Sequence, residues 1–209
     1  MTKLLYIESS PRKKRSSSIE VAHSFFDEYK KQHTNTEVEV LDLWKEPLPE
    51  FDNDIIDAKY AIMHQQSHSE AQRKAWRGVE EIIQQFKNAD KYIFSLPMWN
   101  FGIPYRLKHY FDLIVQPGYT FKFSPTEGYK GLVLEKPVLV IYSRGGSYFA
   151  GSGAEGLDLQ KEYMETILKF IGFTTIQSIF IEPTLASEEQ KINTIQIAKE
   201  RAKQLAKEF

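Results

Sequence analysis

The sequence predicts an α/β fold: a five-stranded parallel sheet with helices on both faces. Three observations predict it. Short apolar runs alternate with longer segments of helical periodicity along the whole chain. Most of those runs are apolar at successive positions, as strands covered on both faces are. The 209 residues, 42% of them hydrophobic, can bury one substantial core but are short for two. No repeat, low-complexity tract or linker divides them, so residues 1–209 are expected to form one domain.

The elements follow in order. "KLLYIES" (3–9) is an apolar run bounded by Ser and Pro, read as a buried strand. In 16–32, Ile19, Ala22, Phe25, Phe26 and Tyr29 recur at helical spacing. "TEVEVLDL" (36–43) alternates and is rich in Val, as a strand does. In 69–89, Ala75, Trp76, Val79, Ile82, Ile83 and Phe86 share one helical side. "KYIFSLP" (91–97) is a third strand, stopped by Pro97. Segment 104–115 is helical, with Pro104 suited to a first turn. "KPVLVIYS" (136–143) is a fourth strand, and 157–172 a helix ending at Gly172, a C-cap residue. "TTIQSIFIE" (174–182) is the fifth strand and 187–209 a closing helix. Stretches 44–68 and 116–132 are read as irregular insertions.

Composition excludes several functions. With 27 basic and 28 acidic residues the net charge is -1, against the basic excess of general nucleic-acid binders. There is no cysteine, hence no disulfide, thiolate chemistry or Cys-based zinc site. The opening "MTKLLYIESS" has too short an apolar run for a signal peptide. No apolar stretch approaches the roughly 20 residues of a membrane helix. A soluble, cytoplasmic protein without membrane or nucleic-acid partners is the expectation.

In parallel sheets of this kind, ligands bind at the carboxyl ends of the strands, where strand order reverses. The loops after strands one, three and four are therefore the candidate site. The first, "SSPRKKRSSS", ends at a helix N-terminus, where unpaired N–H groups and the helix dipole favour an anion. Ser10 and Ser16–Ser18 can donate to phosphate oxygens and cap the helix, and Arg12–Arg15 add positive charge. An ordinary cap with solvated charges is the alternative. The second, "PMWNFGIP", puts Met98, Trp99, Asn100 and Phe101 where polar residues are usual. They could pack on a flat heteroaromatic ring, or simply on the core. In the third, "YSRGG", Gly145 and Gly146 allow close backbone approach, while Ser143 and Arg144 can donate hydrogen bonds; a plain glycine turn is the alternative. One ligand with a phosphate at one end and a flat polar ring at the other fits all three loops, and flavin mononucleotide (FMN) has that shape.

These loops, with "GYTFKF" and the long run "PMWNFGIPYRLKHYFDLI", resemble the FMN-dependent NADH-azoreductase and quinone reductase family, over nearly the whole chain. The resemblance implies a flavodoxin-like sheet of order 2-1-3-4-5. It implies that Ser10, Ser16, Ser17 and Ser18 hold the FMN phosphate, that Met98, Trp99, Asn100 and Phe101 line the isoalloxazine, and that Ser143, Arg144, Gly145 and Gly146 approach its pyrimidine end. Trp99 stands where family members often have Tyr. It further implies a homodimer with the site at the interface, and Tyr119, Phe121 and Phe149 lining the substrate pocket. The chemistry it implies is ping-pong: NADH or NADPH gives a hydride to flavin N5, and a quinone or azo compound then takes two electrons. No side chain serves as a nucleophile, because the flavin carries the reaction.

Other readings are weaker. "GSGAEG" (151–156) matches G-x-G-x-x-G but does not directly follow a strand. "RKKR" could contact nucleic acid, which the balanced charge disfavours. His64 and His68 lack the companions of a metal site and read as solvated, so no metal is expected. His109 reads as a surface or interface residue, and "SEEQKINT" with the final Lys/Glu run as a solvated helix face. A flavodoxin-type electron carrier is the nearest rival, but such carriers are usually strongly acidic.

Overall fold

The computed structural model describes residues 1–63 and 69–209. In chain order the elements are β1 (Thr2–Glu8), α1 (Ser17–Gln32), β2 (Thr36–Asp42), α2 (Asn53–Met63), α3 (Glu70–Asn88), β3 (Lys91–Pro97), α4 (Tyr105–Ile114), β4 (Phe121–Ser124), β5 (Gly128–Gly131), β6 (Val138–Ser143), α5 (Leu159–Ile171), β7 (Ile176–Ile181) and α6 (Glu188–Glu208). The main sheet has the order β2-β1-β3-β6-β7, with every pairing parallel. Its five strands thus take the expected order 2-1-3-4-5, with the β4–β5 hairpin inserted before the fourth.

Side-chain alternation divides each strand between two cores. Leu4 and Tyr6 of β1 face α1 and α6, together with Ile93, Leu139, Ile141 and Ile179. Leu5 and Ile7 face the opposite layer of α3, α4 and α5, with Phe94, Val140 and Tyr142. This is why the central strands read as continuous apolar runs. The chain leaves β1 for β2 on one side of it and returns through α3 to β3 on the other. The loops after β1 and β3 therefore diverge and open a crevice between them.

Two stretches depart from expectation. Segment 44–68 is not wholly irregular, because α2 occupies Asn53–Met63. Asp52 accepts from the Ile55 N–H at 3.1 Å, and Ile55 and Ala58 enter the core. Few and small buried residues left a weak periodic signal. In 116–132 the chain forms the β4–β5 hairpin, whose Phe121 and Tyr129 pack on Phe170 of α5. His64 and His68 lie outside the described residues. Among the described residues, no helix is long and apolar enough to cross a membrane.

Candidate active site

The carboxyl ends of β1, β3 and β6 border a cavity of about 170 Å³. Ser10, Ser16 and Ser17 line one side of it, Pro97 and Ser143 another. Arg12, Arg15 and Lys191 contribute charge, and no carboxylate lines it. Lys191 belongs to the run expected to be a solvated face. The α6 N-terminus returns over the first loop, a juxtaposition that sequence distance conceals.

The first loop is built to leave donors free. Residues 13–15 form a 3₁₀ turn, and α1 begins at once. Ser16 occupies the N-cap position, but its hydroxyl caps nothing; it meets the Ser18 hydroxyl at 3.1 Å instead. The expected capping role is corrected accordingly. The N–H groups of the first turn have no intrahelical partner, so a small anion-sized cavity faces unpaired donors. Ser10 accepts from the Arg12 N–H at 3.4 Å. Ser18 is fully buried and stands behind Ser16, outside the cavity lining.

The four basic residues separate into different roles. Lys13, at φ 49°, turns its ammonium onto Glu8 at 2.6 Å and onto Asp42. Burial pushes its pKa down, but the hydrogen bonds it donates to Asp42 and Glu8 outweigh that and raise it. Lys13 therefore stays charged and ties the loop to the ends of β1 and β2. Arg12 and Arg15 line the cavity, whereas Lys14 does not.

The second loop is a tight turn. Trp99 and Gly102 exchange both backbone hydrogen bonds, at 3.0 and 2.9 Å. Asn100 (φ 47°) and Phe101 (φ 68°) between them are both left-handed, the signature of a type I′ turn. Asn tolerates that region; Phe does so at a cost of about 1–2 kcal/mol. Phe101 is held there largely exposed, its ring 6.5 Å from that of Tyr148. Phe101→Gly creates the Asn-Gly pair such turns favour. It should raise stability by about 0.5–1 kcal/mol, after allowing for the greater freedom of unfolded glycine. Chemical denaturation checks this; a lower midpoint would mean that the turn holds no strain.

Beside the turn, Trp99 tilts against Trp44 at 5.7 Å and Tyr105 at 6.2 Å between centroids. Trp44 donates its indole N–H to the Ser9 carbonyl at 2.9 Å, joining the first and second loops. Arg106 donates to the Leu43 and Glu46 carbonyls at 2.7 and 2.6 Å and holds this segment in place. Trp44 escaped the sequence reading, although a Trp directly after a strand was a usable signal.

In the third loop, the Ser143 carbonyl accepts from the Met98 N–H at 2.8 Å, which aligns it with the second loop. Arg144 departs from expectation. Its guanidinium is buried and pairs with Asp158 at 2.8 Å and Glu182 at 3.3 Å, while Nε donates to Gln160 at 3.1 Å. Its N–H donates to Ile181 and its carbonyl accepts from Thr184. Three of its guanidinium N–H groups are committed to this cluster, and the side chain is buried. Glu182 also accepts from the Tyr148 N–H at 3.0 Å, so the ion cluster anchors the loop from behind. Gly145 and Gly146 remain at its tip.

The three aromatics expected in a substrate pocket have separate neighbours. Tyr119 donates to Glu80 at 2.5 Å and accepts from Trp76 at 3.4 Å; burial and the Glu80 bond raise its pKa. Phe121 packs on Phe170 in the last turn of α5, at the opposite end of the sheet from Ser143. Only Phe149, exposed in the third loop, is at the strand ends. Within one chain, Phe121 cannot line the site. "GSGAEG" lies in turns beyond the strand, at positive φ for Gly151 and Gly153. The helix after it, α5, is capped by the Asp158 carboxylate, which accepts from the Lys161 N–H at 3.0 Å. A negative cap rejects pyrophosphate, so this is no dinucleotide fingerprint. His109 bonds the Pro49 carbonyl at 2.8 Å, a structural contact.

A family model described as the flavodoxin-like fold matches residues 2–206. The chain is 51% identical over 209 residues to an FMN-dependent NADH:quinone oxidoreductase of Desulfotalea psychrophila, covering 100% of this chain and 98% of that protein. It is 47% identical over 210 residues to the protein of that name from Nitratidesulfovibrio vulgaris strain DP4, covering 100% of both. Among solved structures, azoreductase from Bacillus anthracis strain Sterne superposes with a TM-score of 0.92 at 31% identity, covering 100% of both chains. An FMN-dependent NADH-azoreductase from the Ames Ancestor strain, solved with FMN, gives 0.87 at 30% identity, covering 99% of this chain and 100% of that one.

Proposed function

Since the chain belongs to the FMN-dependent NADH:quinone oxidoreductase and azoreductase family, with its flavodoxin-like fold, we propose that it is an FMN-dependent NAD(P)H oxidoreductase of quinones and azo compounds, with residues 1–209 acting as one FMN-binding domain. One observation carries the reading: a small cavity with serine hydroxyls, unpaired helix N–H groups and three cations adjoins an aromatic turn at the same strand ends.

In this reading Ser10, Ser16, Ser17 and the first-turn N–H groups of α1 bond the phosphate. Arg12, Arg15 and Lys191 balance its charge. Ser18 acts indirectly, holding the Ser16 hydroxyl in place. Met98, Trp99, Asn100 and Phe101 line the ring, and the Trp44–Trp99–Tyr105 cluster keeps water from that side. Ser143, Gly145 and Gly146 offer the pyrimidine end hydrogen bonds and close approach, while Arg144 supports their loop from behind. FMN held by these residues would supply, at its N5, the hydride chemistry that couples nicotinamide oxidation to reduction of a quinone or azo compound. Tyr119 and Phe121 enter a pocket only by reaching a partner's site, so the reading includes a homodimer, acting in the cytoplasm.

Purified protein is expected to be yellow, or to gain flavin absorbance with FMN, and to oxidise NADH with a simple quinone in a parallel-line kinetic pattern. Absence of flavin binding overturns the reading, and binding without direct NADH oxidation favours the electron carrier. Ser17→Asp should weaken FMN about 100-fold by setting a carboxylate against phosphate. A carboxylate in the first turn suits the helix dipole, so the loss is not one of folding. Unchanged affinity, read by flavin fluorescence quenching, would remove Ser17 from the phosphate site.

A further inference from the structure

The two ends of the proposed FMN site lie on separate loops. At their bases the loops share the sheet, where the Ser9 N–H donates to the Ser95 carbonyl at 3.0 Å. Beyond it, among the described residues, no hydrogen bond, ion pair or ring contact runs directly from Ser10–Ser18 to Met98–Tyr105. Trp44 spans the gap from a third segment. Its indole N–H donates to the Ser9 carbonyl at 2.9 Å. Its ring lies 5.7 Å from that of Trp99 and 5.5 Å from that of Tyr105, between centroids. Trp44 is itself anchored on both sides. Its backbone N–H donates to Asp42 at 3.1 Å, and the same carboxylate holds Lys13 of the first loop. Arg106 of α4 holds the flanking Leu43 and Glu46 carbonyls. Ser9 is fully buried, so its carbonyl is left without a partner if the indole N–H is removed.

We propose that Trp44 is a positioning residue that makes the phosphate loop and the ring turn one rigid site, so that FMN engages both at once. A ligand held at two points binds tightly only if the second point stands where the first leaves it. Two loops that move independently must be ordered by the ligand, at a cost to its affinity. The Trp44 bridge fixes their separation before the ligand arrives. It serves only ligands that reach both loops, because a phosphate alone or an isoalloxazine alone needs one loop in place. Trp44 thereby selects the whole cofactor over its parts, and needs no contact with it to do so. The inference rests on the reading above, which puts the phosphate on the first loop and the ring on the second.

The test measures binding of FMN, lumiflavin and inorganic phosphate to flavin-depleted protein. Flavin affinities are read by fluorescence quenching, and phosphate affinity by competition with FMN. Trp44→Phe keeps a ring beside Trp99 and Tyr105 but has no N–H for Ser9. It should weaken FMN about tenfold, and lumiflavin and phosphate each by less than about threefold. Arg106→Met leaves the indole intact but frees the segment that carries it. It should give the same selective loss, and it decides the matter should the first variant fail to fold. Equal loss of lumiflavin and FMN makes Trp44 a wall of the ring site, and equal loss of phosphate and FMN makes it part of the phosphate loop. Either result overturns the proposal, as does an unchanged FMN affinity. If the wild-type protein does not bind FMN, or binds lumiflavin as tightly, the phosphate reading falls, and this one with it.

Discussion

Arg144→Met is expected to lower the free energy of unfolding by about 3–5 kcal/mol, the range for breaking a buried ion cluster by removing one partner. The guanidinium lies among the rings of Tyr142, Tyr148 and Phe180, with its centre 4.6 Å from the Phe180 centroid. Without it, Asp158 and Glu182, both largely buried, face each other with no counter-charge. Much of the loss is that leftover repulsion and desolvation rather than the worth of the pairs. Adding Asp158→Asn and Glu182→Gln to the same chain should therefore recover part of it, since Asn still caps α5. Flavin affinity should fall in the single variant, because Glu182 also fixes the Tyr148 N–H and so the glycine tip. Urea denaturation at matched flavin concentration reads the effect. A loss below about 1 kcal/mol would mean that the cluster contributes little.

Gly131→Ala should cost about 3 kcal/mol or more, for a different reason. At the end of β5, a Cβ on Gly131 would overlap the backbone of Ile171 and Gly172. No side chain can rotate away to make room. The hairpin must lift from α5, losing the packing of Phe121 and Tyr129 on Phe170. Gly156→Ala is the control: nothing lies within 4 Å of the added methyl, and its φ is not positive. If the two variants unfold within about 1 kcal/mol of each other, the close approach is softer than the geometry implies.

The strands and the helices between them were legible because burial on both faces leaves runs that few other structures share. Each predicted element lies within two residues of its observed bounds. Segment 53–63 and the hairpin were not legible. Their strands and helix are short, and their fit depends on surfaces made by distant elements. Ser10, Ser16, Ser17 and Ser143, singled out by their positions at strand ends and a helix start, line one cavity. Arg144 was misjudged because an arginine beside glycines reads as a ligand donor. Only the folded chain brings Asp158, Gln160 and Glu182 to it. Lys191 was missed because its neighbours in sequence are those of any solvated helix.

What the sequence determined by itself is the order of elements, the parallel sheet and the three loops at its carboxyl ends. Hydrophobic periodicity and turn residues act over a few positions, so their signal survives in one dimension. The tertiary structure alone decided which cations meet the cavity. It sent Lys13 to Glu8 and Asp42, Arg12 and Arg15 to the serines, and Lys191 to join them from the far end of the chain. It likewise made Gly131 necessary, through a backbone that approaches from α5. Pairing of charges and close packing depend on separation in space, and a sequence records only separation along the chain.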